Sequence, residues 1–280
     1  MHPIAIAPPR SRFLHASRRG LRLLAGTALA GLLAACAAPS SKEHTAQVQV
    51  ERIDRAFELD KSVTRVEIVN PLGEINVRDN DEAEVGVHAV IQRLAPGFAD
   101  VRLASRRNGS VLRIEASVAD GAPGRIDMAV YVPSTMALSL ATRDGRISVS
   151  RRRGSIEAKT TTGEISAAST GRLELASGSG EIRATAIGRR WKGESRITTD
   201  SGRIVLKVPT FGDIALDAQT GGRLVSGFGL SVHEREGIRS SRARYGRGTS
   251  PLVARSRSGE IVLDQLVLLG EDGGLSEDQD

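Results

Sequence analysis

From Leu138 onward the chain alternates apolar and polar positions with a period of two, interrupted every eight to ten residues by a glycine, one variable residue and then Ile or Leu. The unit recurs at Gly145, Gly154, Gly163, Gly171, Gly180, Gly202, Gly212, Gly222 and Gly259. Period two is the mark of a strand with one buried face, and the glycine marks the turn that follows it. Ile147 and Val149, Ile156 and Ala158, Ile165 and Ala167, Leu173 and Leu175, and Ile204, Leu206 and Val208 share the parity that would point inward. A coarser period is superimposed: "TRDGRI", "TTTGEI", "SGSGEI", "TDSGRI" and "SRSGEI" resemble one another more than they resemble the intervening "RRRGSI" or "TFGDI". Two strands per turn of a coil is the pattern of a solenoid, whose units bury their apolar faces only by stacking, each on the one before.

Upstream, strands are expected over Val63–Ile68, Ile75–Val77, Glu84–Gln92, Asp100–Val118 and Arg125–Val132. Asn108-Gly109 sits between alternating apolar residues, a strong two-residue hairpin signal; Asn108-Gly109-Ser110 also matches a glycosylation sequon. The chain is thus expected to be all-β, an N-terminal antiparallel β region (48–137) followed by β-solenoid repeats (138–267). An acidic tail, 268–280, ends it.

Composition sharpens this. Aromatic residues make up 3% of the chain and glycines number 30, so the core must be aliphatic and rich in turns. The net charge of +6 suggests an anionic partner, but Arg10, Arg12, Arg18, Arg19 and Arg22 lie in a basic leader without acidic residues, ahead of the apolar run "LLAGTALAGLL". That run is too short for a permanent span and reads as a secretion signal, residues 1–35, whose removal takes five of the positive charges and with them the case for nucleic acid. "SRRGLRLL" partly resembles a twin-arginine signal, leaving the export route open. "LAAC" ends the leader at Cys36, the one cysteine of the chain, and "AAPSSKEHTAQ" completes a tether over 36–47.

"LAAC" resembles a bacterial lipobox, which implies that Cys36 carries acyl chains and fixes the mature protein to a membrane; Ala37 implies the outer membrane of a Gram-negative-type envelope. Together with "NPLGEINVRD", "AVYVPSTMALSLATRDGRISV" and the serial "TTTGEI", "SGSGEI" and "SRSGEI", it resembles the adhesin-like domain family of bacterial envelope proteins, a family of unknown function, over about Val63–Leu263. The resemblance implies a right-handed β-solenoid or β-roll, for which no enzymatic activity is established.

Chemistry is sparse in the repeats. The histidines outside the leader, His44, His88 and His233, lack metal-ligand spacing, and no cofactor motif is present, so neither metal nor cofactor is expected. Stacking would line up Arg146, Glu164, Glu181 and Arg203 outward, either as a solvated ladder or, through Glu164 and Glu181, as the acid/base pair of a polysaccharide-processing β-helix enzyme. The repetition breaks at two basic segments. "AIGRRWKGESR" sets Trp191 among Arg189, Arg190 and Lys192, and "HEREGIRSSRARYGRGTS" holds Arg235, Arg239, Arg242, Arg244 and Arg247. Loops that bulge from a solenoid often form its binding face. Guanidinium groups suit phosphate or carboxylate, and an indole suits a sugar face, unless Trp191 folds back over the coil and the second segment is a solvated loop. The expected partners are therefore a membrane through the N-terminal lipid and an anionic glycan, a lipid phosphate or another envelope protein. The chain reads as a non-catalytic binding scaffold of the envelope, facing periplasm or cell surface, with a passive structural periplasmic lipoprotein as the further alternative.

Overall fold

The computed structural model describes residues 48–94, 101–118 and 124–267, so the leader, Cys36, the tether and the acidic tail fall outside the described residues. Among those residues every regular element is a strand. The first seven are β1 (Val48–Glu58), β2 (Arg65–Asn70), β3 (Ile75–Asn80), β4 (Glu84–Leu94), β5 (Val101–Asn108), β6 (Val111–Val118) and β7 (Gly124–Pro133). The repeat supplies β8 (Ala137–Thr142), β9 (Ile147–Arg152), β10 (Ile156–Thr160), β11 (Ile165–Ser169), β12 (Leu173–Ser177), β13 (Ile182–Ala186), β14 (Ser195–Thr199) and β15 (Ile204–Val208). The last six are β16 (Ile214–Thr220), β17 (Leu224–Ser226), β18 (His233–Arg235), β19 (Ile238–Arg244), β20 (Ser250–Ser256) and β21 (Ile261–Gln265).

From β8 to β15 consecutive strands alternate between two sheets, and each strand pairs in parallel with the one two places on. The register aligns the apolar positions: Ile147, Ile165, Ile182 and Ile204 stack in one sheet, Leu138, Ile156 and Leu173 in the other. The inward residues of both sheets form one continuous aliphatic core. Burying such a side chain contributes roughly 1.5–3 kcal/mol, which is how the stack offsets its ordering without large aromatics.

The glycines act by close approach rather than by unusual dihedrals. A Cβ on Gly163 would collide with the carbonyl oxygen of Gly145, one on Gly180 with that of Gly163, and one on Gly202 with that of Gly180, while none of these glycines has positive φ. Three residues before Gly145, Gly163, Gly180, Gly202 and Gly259 lie Thr142, Thr160, Ser177, Thr199 and Ser256, all buried. Each hydroxyl accepts the N–H of its own turn's glycine at 2.8–3.2 Å. Most also donate to a carbonyl of the neighbouring rung, as Thr160 does to Arg143 and Ser177 to Gly163. The Ser or Thr that opens each of these turns is therefore part of a buried hydroxyl ladder: burial of each turn's N–H demands a partner, and Ser or Thr is the smallest that supplies one.

Three expectations change. The N-terminal region is not purely antiparallel: β2 is parallel to β6 and β8, and β3 to β7 and β9. "NPLGEI" carries the same strand and turn spacing as the repeat, so β2 and β3 form a rung beside β8 and β9, and antiparallel pairing is confined to β1 with β4, β4 with β7, and β5 with β6. The turn of that last pair is the Asn108-Gly109 hairpin, with Gly109 at φ 57°.

Stacking also departs from chain order at both ends. β6 and β7 lie outside β2 and β3, after which the chain returns to place β8 and β9 on the other side; β20 and β21 insert between β14/β15 and β16/β17. Finally, the basic segment from His233 is a hairpin rather than a loop: β18 and β19 pair antiparallel, and β19 pairs with β16. Glu236 and Gly237, at φ 52° and 76°, make the two-residue turn whose twist suits a hairpin.

Candidate anion-binding cleft

The segment between β13 and β14 is fixed by its tryptophan. Trp191 is 9% exposed and belongs to the core; its N–H donates to Ser250 Oγ at 3.0 Å, Ser250 Oγ donates to its carbonyl at 3.2 Å, and its indole Nε1 donates to the Pro251 carbonyl at 3.4 Å. The indole thus plugs the insertion against β20 and is not an exposed platform. Burying so large an apolar surface outweighs leaving it in water. Arg189 and Arg190, just before the plug, stay exposed, as does Lys192 beyond it.

The turn before β16 approaches the same place. Asp213 N–H bonds to the Arg189 carbonyl at 2.8 Å, and Ser250 N–H to the Asp213 carbonyl at 2.8 Å. The Asp213 carboxylate accepts the Arg247 N–H at 2.9 Å and its guanidinium at 3.2 and 3.4 Å. These contacts, the Arg247 N–H foremost, then its guanidinium and Arg190, hold the Asp213 carboxyl below its usual range. Phe211 is 38% exposed, with the Arg189 guanidinium 5.9 Å from its ring centroid. The result is an open cleft of about 560 Å³ lined by Arg189, Arg190, Phe211, Asp213 and the Gly246 turn.

Of the residues singled out from sequence, Arg189, Arg190 and Arg247 come together here. Arg242 and Arg244 lie along the neighbouring face of β19, with Arg242 3.7 Å from Asp217. Arg239 is engaged by Glu234 at 3.2 Å and by the Gly222 carbonyl at 2.8 Å, and Arg235 projects into solvent 3.5 Å from Glu236, both toward the end of the hairpin away from the cleft. Phe211 and Asp213 escaped notice, although the departure of "TFGDI" from the Ser/Thr-x-x-Gly phrase was visible.

Neither Arg189 nor Arg190 makes an ion pair with a carboxylate of the described residues. Guanidinium forks match carboxylate and phosphate oxygens in bidentate fashion, and an exposed aromatic ring beside them suits the apolar face of a sugar. Asp213, the sole carboxylate of the lining, is tied to Arg247.

Glu164 and Glu181 do form part of an outward ladder. Arg183 donates to Glu164 and its Nε is 2.9 Å from Glu181, while Arg146 is 3.4 Å from Glu164. An arginine between two carboxylates is the reverse of the apolar surroundings that keep a general acid protonated. Among the described residues no group of three or more His, Cys, Asp or Glu side chains is placed to hold a metal ion.

No family model matches the chain, and no curated protein matches it. Solved structures do. A candidate cell adhesion protein from Clostridium sporogenes is 14% identical, with a TM-score of 0.46 over 78% of this chain and 100% of that one. A candidate adhesin from Bacteroides fragilis (9% identity, TM-score 0.33) and a candidate lipid-binding protein from Parabacteroides distasonis (12%, 0.34) each cover 77% of this chain and 97% of their own. At these identities and scores the likeness carries no argument about function.

Proposed function

We propose that the chain is a lipid-anchored, non-catalytic envelope protein whose strands form a right-handed β-solenoid presenting the Arg189, Arg190, Phe211, Asp213 and Arg247 cleft to an anionic glycan. The observation that carries the reading is the convergence of the two repeat-breaking segments on one cleft, where two exposed arginines lack carboxylate partners. The handedness rests on the rule that parallel strands of one sheet are joined by right-handed crossovers. The anchor rests on "LAAC" ending the leader. The glycan is favoured over a lipid phosphate by the concave shape of the site and by the ring of Phe211 beside the arginines.

Two measurements test this. Labelled palmitate is expected in the wild-type chain and absent from Cys36→Ser; equal labelling of both removes the anchor. Immobilised polygalacturonate is expected to retain the detergent-solubilised mature protein at low salt and release it as salt rises, with neutral dextran retaining none. Arg189→Gln/Arg190→Gln elutes at lower salt. Identical elution of variant and wild type removes the cleft, and new reducing ends during incubation remove the non-catalytic assignment.

A further inference from the structure

We infer that the cleft is the first of two subsites on a track that takes a linear glycan carrying repeated anionic groups, an inference that rests on the cleft reading above. Burial along β16 alternates, Ile214 and Leu216 inward, Ala215 and Asp217 outward, so Ala215 and Asp217 share one outer face, which begins at the turn carrying Asp213. β19 registers Arg244 against Ala215 and Arg242 against Asp217. β20 registers Pro251 and Val253 against the same two residues from the other side. Between these strands lies a second depression of about 470 Å³, floored by Ala215, Pro251 and Val253 and edged by Arg242, Arg244 and Asp217. Asp217 lies four residues beyond Asp213, of which the last lie on extended β16, so the two are at most roughly 13 Å apart. The first depression, at the turn before β16, is therefore followed along the chain by the second, on the outer face of β16.

Their charge is organised alike. Asp217 is satisfied by Arg255, whose guanidinium donates to its Oδ2 at 2.9 Å and to its carbonyl at 2.8 Å. Arg242 reaches Asp217 only at 3.7 Å and is 73% exposed, and Arg244 makes no ion pair among the described residues. The first depression thus offers two arginines without a carboxylate partner among the described residues, Arg189 and Arg190, and the second offers Arg244 without one and an exposed Arg242 whose one contact, to Asp217, is long. Many arginines elsewhere on the outer faces are engaged, Arg113 by Glu67 and Glu115, Arg172 by Glu174, Arg183 by Glu164 and Glu181; exposed Arg78 and Arg151, on β3 and β9, are not engaged among the described residues, but they line neither depression. The floor of small and cyclic residues lets a polymer backbone lie close, while the spacing admits an anionic group at each end. A ligand spanning both gains from effective concentration, since its second contact is intramolecular.

Calorimetry on the detergent-solubilised mature protein decides the matter, with digalacturonate, hexagalacturonate, polyphosphate and neutral maltohexaose as titrants. Hexagalacturonate is expected to bind about tenfold or more tighter than digalacturonate, and maltohexaose to show no heat. Arg242→Gln/Arg244→Gln should bring the hexamer down to the affinity of the dimer and leave the dimer unchanged. Arg244→Gln alone, which breaks no ion pair, should remove part of the gain; thermal unfolding midpoints equal to wild type keep each variant interpretable. Polyphosphate binding tighter than hexagalacturonate assigns phosphate rather than carboxylate as the repeated anion. Dimer and hexamer binding equally overturns the track and leaves the cleft standing. Absence of binding by hexagalacturonate and polyphosphate alike, or binding only to phosphatidylglycerol vesicles, overturns both.

Discussion

Thr160 shows how much one plain residue does in this fold. Its hydroxyl accepts the Gly163 N–H at 3.0 Å and donates to the Arg143 carbonyl at 3.1 Å, in a side chain at 9% exposure. Thr160→Val keeps the shape and strands the buried Gly163 N–H, while the Arg143 carbonyl keeps the N–H groups of Thr161 and Thr162, so it is expected to cost about 1–3 kcal/mol in urea denaturation. Thr161→Val, the next residue and exposed, stays within about 0.5 kcal/mol. Asp213 allows a pH test. Its carboxyl is held low in the folded protein, so its contribution is fully present above the ordinary aspartate value of about 4 and is lost as pH falls through the lowered one. The Arg247 contact therefore persists at pH 5 and is released only in stronger acid. A carboxyl ¹³C titration of Asp213 with a midpoint at or above 4 contradicts this.

At the scale of the element, register decides consequence. Ile165 lies between Ile147 and Ile182 at 0% exposure, and Ile165→Asp is expected to unfold the repeat. Glu164→Ala, on the adjacent position, removes only surface ion pairs and shifts stability by about 1 kcal/mol or less; equal loss in the two variants contradicts the register. The insertion before β14 behaves as an element because Trp191 packs it to β20. Trp191→Ala is expected to cost about 3–5 kcal/mol, and the emission of this single tryptophan should be blue-shifted in the native state and move red only on global unfolding. Red-shifted native emission would place the indole in water. Half of the basic region likewise becomes intelligible only as a hairpin, since pairing with β16 is what turns Arg242 and Arg244 to one face.

For the whole molecule, the decisive fact is that spatial order and chain order differ at both ends. β16 and β17 precede β20 and β21 in the chain, yet β20 and β21 are the rung that sits between them and β14/β15. Their contacts are non-local, and loop closure has to precede them, so folding is expected to be slow, in the millisecond-to-second range. A chain ending at residue 249 lacks the intervening rung. Hydrogen exchange should then show β14 to β17 unprotected while β9 to β12 keep native protection, because units in a stacked array contact only their neighbours. Native protection of β16 in the truncated chain would contradict the inserted rung. The same insertion builds the candidate site, since β20 supplies Ser250, Pro251 and Val253 to surfaces whose other parts lie up to about sixty residues earlier.

The amino-acid sequence by itself determined that this chain is all-β, which residues face inward, and where its regularity fails. Those properties follow from period-two burial and from turn residues, both local, and they persist whatever the partner strand. It also marked Arg189, Arg190 and Arg247 as worth attention, because charge in an irregular segment has no structural duty that the pattern explains. Tertiary structure alone decided which rung lies beside which, that Trp191 is a plug and Phe211 the exposed ring, that Asp213 is the anchor of the cleft, and that Thr160 and its counterparts face a buried corner rather than water. Each of these depends on a contact between residues distant along the chain, and pattern within a strand carries no information about the neighbour that loop closure brings to it.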